Sequence, residues 1–153
     1  MTRPDEPIYE VSTTKKSLLA ETTVIKKYHK DGEPEYMGLV ELYARTDVCK
    51  VWGKDMPPKS DGFFKNGRSF VASDGQKYTW KQKSNGNQEL TDQSKNVIAT
   101  WERAHTGFFS GRPSAARLSI AEAGVSIADD IVVTFVDVEQ WTRINQAAAA
   151  AAA

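Results

Sequence analysis

The chain has 153 residues, 40% of them hydrophobic and 26% charged, a composition ordinary for a globular protein and long enough for one domain with a real core. Lys plus Arg and Asp plus Glu each number 20, so the net charge is zero and an obligate nucleic-acid binder is not expected. The single cysteine, Cys49, excludes an intrachain disulfide and a cysteine-based metal centre.

Residues 1–16 are polar, carry Pro4 and Pro7, and read as a loose lead-in. No apolar signal core opens the chain and no run reaches the ~18 apolar residues of a membrane span, so the expectation is a cytoplasmic protein, at most peripheral to a membrane. Thr22 to Tyr28 is β-branched, Asp31-Gly32 supplies a turn, and Glu35 to Tyr43 reads as the return strand of a hairpin. Asp47 to Trp52 alternates again, which places Cys49 in a strand as a buried thiol. Lys54 to Gly67 holds Pro57-Pro58, Asp61-Gly62 and Asn66-Gly67 and reads as loop, with Phe63 and Phe64 inside it.

Arg68 to Ser73, Gln76 to Lys83, Gln88 to Thr91, Asn96 to Arg103 and Ala116 to Glu122 are the following strands. Asp74-Gly75 and Asn85-Gly86 separate the first three. A Gly/Pro loop from Thr106 to Ser114, holding Phe108 and Phe109, precedes the last. Turn signals at this spacing mark a sandwich or a barrel. Ile127 to Gln146 breaks the pattern: Ile127, Ile131, Val132, Val133, Phe135, Val136 and Val138 leave little polar face. Such a run is a buried strand or a helix buried on all sides. Ser126 as N-cap, Asp129 and Asp130 at the positive end of the dipole, and twenty residues without a turn favour the helix; a strand over Ile131–Val136 is the alternative. The seven alanines from Ala147 to Ala153 read as a linker or unassigned residues that would prolong the helix. The expected fold is mainly β, an antiparallel barrel-like domain over 17–146 closed around a hydrophobic C-terminal helix at about 127–146.

Phe70, Asp74-Gly75, Tyr78, Trp80-Lys81, Leu90, Val97-Ile98-Ala99, Leu118, Ile120 and Asp130 to Phe135 form an ordered pattern. It resembles an uncharacterised fungal domain family that is similar to the tubby C-terminal-like folds, among them the tubby domain, the scramblases and the plant LURP-one-related proteins. The resemblance covers about residues 65–140. It implies a β-barrel closed around a hydrophobic helix near the C-terminus, and phosphoinositide or membrane-surface binding as in the tubby domain. No lipid-contacting residue carries over by motif.

No catalytic, metal or cofactor signature stands out, and no enzyme is expected. His29 and His105 lack partners at motif spacing, and Asp129-Asp130 fits a helix start better than a metal site. Charge is unevenly distributed: residues 50–117 hold 12 Lys/Arg against 6 Asp/Glu. Lys77, Lys81 and Lys83 share the parity opposite to Tyr78 and Trp80 and should point outward together. With Lys95, Arg103 and Arg112 they are the candidate anion- or lipid-binding face, for lipid headgroups or an acidic protein. A solvated face whose lysines blunt edge pairing is the structural alternative. Phe63, Phe64, Phe108 and Phe109, flanked by cations, are the candidate interface loops, unless they plug the ends of the barrel. Two functions follow: a non-enzymatic binding module for anionic membrane surfaces or phosphoinositides, or a protein-interaction or structural module, self-associating in one form.

Overall fold

A computed structural model describes residues 8–17, 20–30, 32–43, 46–60, 67–105 and 115–152. The chain is mainly β, with two antiparallel sheets and one long C-terminal helix. It divides into two compact units, residues 1–57 with 132–153, and residues 58–131.

The first unit is built on a five-stranded meander, β1 (Tyr9–Ser17), β2 (Ala20–Lys27), β3 (Glu35–Tyr43), β4 (Thr46–Val51) and β5 (Lys54–Asp55), in sequential order. Strand β1 occupies the second half of the expected lead-in: its β-branched residues pair across to β2, Val11 to Ile25 and Thr13 to Thr23. The strand period of two puts Ile25, Val40, Leu42, Cys49 and Val51 on one face, and all five are buried. The buried thiol of Cys49 is as expected.

Helix α1 (Ala128–Ala152) lies on that face through Val133, Gln140 and Arg143. Its residues from Ile131 to Val138, Phe135 excepted, are buried, the polar Thr134 and Asp137 together with the valines and Ile131. The strand alternative for Ile131–Val136 is therefore set aside. A methyl on Gly38 of β3 would come within 2.6 Å of Val133 Cγ2, so this glycine sets how closely helix and sheet approach. Gln140 donates from Nε2 to Thr23 Oγ1, and Arg143 reaches both oxygens of the buried Glu21 at 3.2 Å. The ten residues from Val133 to Arg143 rise about 15 Å. The four from Ile25 back to Glu21 span about 13–14 Å. The helix thus runs along β2 in the opposite direction.

The second unit carries a six-stranded sheet of β6 (Lys59–Ser60), β7 (Gly67–Val71), β8 (Lys77–Gln82), β9 (Gln88–Thr91), β10 (Val97–Glu102) and β11 (Arg117–Ile120), again sequential. Strand β6, like β5, lies in the stretch expected as loop. Phe70, Tyr78, Trp80, Leu90 and Ala99 form its buried face, with Phe70 and Tyr78 stacked at 6.0 Å between centroids. A 3₁₀ turn over Glu122–Ile127 leads into α1. Ser126 lies inside this turn and caps nothing, and the helix begins at Ala128 instead. The turn fits because Gly124 has no side chain: a Cβ there would stand 2.8 Å from Ile98 Cγ2. Asp129 and Asp130 sit in the first helical turn, as the dipole favours. Asp130 also accepts from Ser73 N at 2.8 Å and Ser73 Oγ at 2.6 Å.

In neither sheet do the terminal strands pair with each other. Among the described residues the expected mainly β fold and C-terminal helix are present, and no sheet is closed into a barrel.

Candidate functional site

The expected basic face starts from strand β8. Lys77 and Lys81 stand on the face opposite the buried Tyr78 and Trp80, as parity requires, and Lys83 follows one residue beyond the strand. The cations nevertheless divide. Lys77 pairs with Val71 beside the β7–β8 turn, and Lys95 lies in the β9–β10 turn at the same end of the sheet. Lys83 and Arg103 meet at the other end. Asn87 joins them: its carbonyl accepts from Lys83 N at 2.7 Å and its side-chain oxygen from Arg103 N at 3.1 Å. The Arg103 side chain crosses Gly86, where a Cβ would stand 2.7 Å from Nη1. Gly86 has φ +86 and satisfies both the turn and this crossing. Lys81 is opposite Glu89 across the strands, and Glu89 holds Lys83 at 3.2 Å. The face is thus partly neutralised where its charges converge. Arg112 and the candidate loop residues Phe63, Phe64, Phe108 and Phe109 lie outside the described residues.

The expected inert groups are placed as follows. Cys49 is buried among apolar side chains. Nε2 of His29 is 3.7 Å from Glu35, an exposed pair bridging the ends of β2 and β3. His105 is exposed. Among the described residues, no three His, Cys, Asp or Glu side chains cluster as metal ligands, and no helix is long and apolar enough to cross a membrane.

A concavity lies on the outer face of the five-stranded sheet, within the first unit. It has a volume of about 320 Å³ and is lined by Val24, Tyr36, Met37, Gly38, Leu39, Lys50 and Gly53. That is the lower end of the range for ligand sites. It arises from a local irregularity. Between Ile25 and Lys26 the β2–β3 register shifts, so Ile25 opposes Gly38 and Lys26 opposes Tyr36. Met37 is the extra residue, and the bulge re-aims β3 beneath Tyr36. The Tyr36 ring stands 72% exposed over the cleft, with Lys26 Nζ 5.2 Å from its centre, a cation–π contact. Lys50 lines the opposite side and lies 3.7 Å from Asp55.

The β4–β5 turn closes the cleft with a feature of its own. Both central residues have positive φ, Trp52 at +49° and Gly53 at +79°. A two-residue hairpin turn of this hand favours Asn and Gly. The left-handed region costs an ordinary residue about 1–2 kcal/mol. Trp52 adopts it while 44% exposed, in contrast to the fully buried Trp80. Exposed aromatics in strained turns mark recognition surfaces more than cores.

The cleft was not foreseen from the sequence, yet a signal exists. Val24 beside Ile25, and Leu39 beside Val40, interrupt the apolar–polar alternation of a half-buried sheet. Each pair forces one apolar side chain onto the outer face, and the two meet there as cross-strand partners.

These features place the chain among known sequences as follows. It belongs to a family of unknown function (DUF6593), whose model matches residues 1–144. No curated protein and no solved structure matches it.

Proposed function

We propose that this DUF6593 chain is a non-enzymatic binding module that recognises a protein partner through the cleft on its five-stranded sheet. The carrying observation is the apolar cleft of about 320 Å³ beneath an exposed Tyr36 and bordered by two lysines, Lys26 and Lys50. Val24 and Leu39 offer a floor for one apolar side chain, and Tyr36 a large face at low conformational cost. The flanking ammonium groups favour a segment with a carboxylate beside its apolar anchor. His29, His105 and Cys49 lie outside its lining.

Selection of a displayed random peptide library on the full chain, in parallel with the Tyr36→Ala variant, tests this reading. The expected result is enrichment of peptides with an aliphatic or aromatic anchor next to Asp or Glu, lost in Tyr36→Ala. Peptides that bind the variant equally well, or no enrichment, would refute it. His29→Ala, His105→Ala and Cys49→Ala should leave selection unchanged.

A second reading is favoured by Lys83 and Arg103, whose backbone amides both donate to Asn87 at one end of the six-stranded sheet. It is the engagement of anionic membrane surfaces or phosphoinositides that the tubby-like resemblance, with its barrel closed around the helix, suggests. Sedimentation with neutral and phosphoinositide-containing vesicles separates the two: the lipid reading requires salt-sensitive binding that Arg103→Glu weakens and Tyr36→Ala does not.

A further inference from the structure

Strand β1 forms one edge of the five-stranded sheet and is exposed from Val11 to Ser17. Its backbone orientation follows from one bond. Tyr28 N donates to Ile8 O at 2.8 Å, which makes Ile8 and Tyr28 a hydrogen-bonded pair in the antiparallel ladder. The register runs unbroken from Tyr9↔Lys27 to Lys15↔Glu21. Hydrogen-bonded and non-hydrogen-bonded pairs alternate. Glu10, Ser12 and Thr14 therefore turn their N–H and C=O groups toward β2. Val11, Thr13 and Lys15 direct theirs away from the sheet.

This edge lacks most of the usual protections. No proline interrupts Tyr9–Ser17, and the only irregularity falls at its end, between Lys15 and Ser17. The middle of the strand, Val11 to Thr14, carries no charge.

The strand is also complementary to itself. Placed antiparallel to a second copy about Thr13, Val11 faces the partner's Lys15 and Thr13 faces the partner's Thr13. These are the residues whose backbone groups point outward, so this register satisfies about six intermolecular N–H···O bonds. It also sets Glu10 opposite the partner's Lys16 on both sides of the two-fold axis. Both side chains lie on the outer face, where Glu10 meets Lys26 at 3.9 Å and Lys16 meets Tyr43 Oη at 3.1 Å. The neighbouring two-fold register about Ser12 sets Glu10 against Thr14, and the one about Thr14 sets Lys16 against Ser12. Of these registers, only the one about Thr13 pairs opposite charges.

We infer that β1 pairs antiparallel with β1 of a second copy, about Thr13, and joins two five-stranded sheets into one continuous sheet in a two-fold dimer.

Sedimentation equilibrium of the full chain into the high micromolar range tests the inference. The expected result is a reversible monomer–dimer equilibrium. Thr13→Pro removes an N–H that points to the free edge, which an edge strand tolerates. It should leave far-UV circular dichroism unchanged and weaken dimerisation about 30-fold, for two lost bonds. Charge exchange supplies a test that does not depend on proline. E10K and K16E should each be monomeric alone, and an equimolar mixture of the two should restore a heterodimer. A wild-type chain that stays monomeric throughout overturns the inference. So does a dimer whose affinity is unchanged in Thr13→Pro or in both single charge variants, because it would form through another surface such as the cleft.

Discussion

Gly38→Ala tests how the helix is seated on the first sheet. Gly38 is buried and not in the left-handed region, so its backbone accepts alanine without strain. By itself, exchanging a strand glycine for alanine stabilises by about 0.5–1 kcal/mol. Space opposes it. The new methyl would stand 2.6 Å from Val133 Cγ2 and 3.1 Å from Ile25 Cδ1, against about 3.5–4.0 Å for carbon atoms at rest. Val133 cannot swing aside: it is fully buried, and a β-branched side chain in a helix holds essentially one rotamer. The helix must shift by nearly an ångström, and overpacking of this kind costs about 1–3 kcal/mol. The steric term wins, and we expect a net loss of about 1–2 kcal/mol. Val133→Ala alone should cost about 2 kcal/mol for two buried methyl groups and the space they leave. The double variant should cost less than the sum by about 1–2 kcal/mol, because each change fills the space the other needs. Urea unfolding followed by tryptophan fluorescence reads this out, a loss of 1.5 kcal/mol lowering the midpoint by about 0.7 M at a slope near 2 kcal/mol per M. A stabilised Gly38→Ala, or two single effects that add within about 0.5 kcal/mol, would refute the close seating of Val133 on Gly38.

Val133→Asp places a charge at the same buried point and should abolish the cooperative urea transition; a soluble variant with unchanged near-UV circular dichroism would contradict the buried helix. The phenol of Tyr78 is pushed up to about 12, first by burial and then by its hydrogen bond to Asp74. The unfolded phenol ionises near 10, so stability should be flat below that pH and fall from about 10 to 12; Tyr78→Phe should remove this part of the alkaline loss in denaturant midpoints taken across that range. Asp130→Ala deprives Ser73 of two charge-assisted bonds and should cost about 1.5–3 kcal/mol by the same unfolding assay, an effect under 0.5 kcal/mol being the contrary result. Lys95 is at φ +69°, so Lys95→Gly should raise stability by about 0.5–1 kcal/mol, and a lowered midpoint would show that its side chain matters more than its backbone.

The strand order and the helix were legible because they rest on period. Tyr78 and Trp80 alternate with Lys77 and Lys81, and the structure buries the first two. The Asp-Gly and Asn-Gly turns fall where the dipeptides stand, at Gly75 and Gly86, each with positive φ. What the sequence conceals depends on pairing between distant segments. Tyr9–Ser17 becomes a strand because β2 is there to pair with it, a fact absent from its own polar composition. The division of Lys77 and Lys95 from Lys83 and Arg103 follows from which end of the sheet each turn occupies, and parity alone assigns a face but not an end. The cleft under Tyr36 required the shift at Met37, a bulge with no local signature. Ser126 looked like a cap because it precedes the apolar run, whereas Gly124 lets a 3₁₀ turn pack first and delays the helix.

The apolar run explains why α1 is buried but not where along the sheet it stops. Valines and isoleucines on all sides would pack comparably after a slip of one helical turn. The polar contacts discriminate between such positions. Glu21 is buried to 4% exposure and Gln140 to 1%. In the observed register each meets its complement, Arg143 for the carboxylate and Thr23 for the amide. A shift of about 5.4 Å would carry Gln140 past Thr23 and strip the buried Glu21 of its bidentate guanidinium, leaving it only the largely exposed Lys15 at 3.9 Å. Thr23 also holds Thr13 of the edge strand at 2.8 Å, so the contact that positions the helix reaches through β2 to β1. Burial supplies the energy of this interface, and two polar contacts at its far end, Gln140 with Thr23 and Arg143 with Glu21, choose the register.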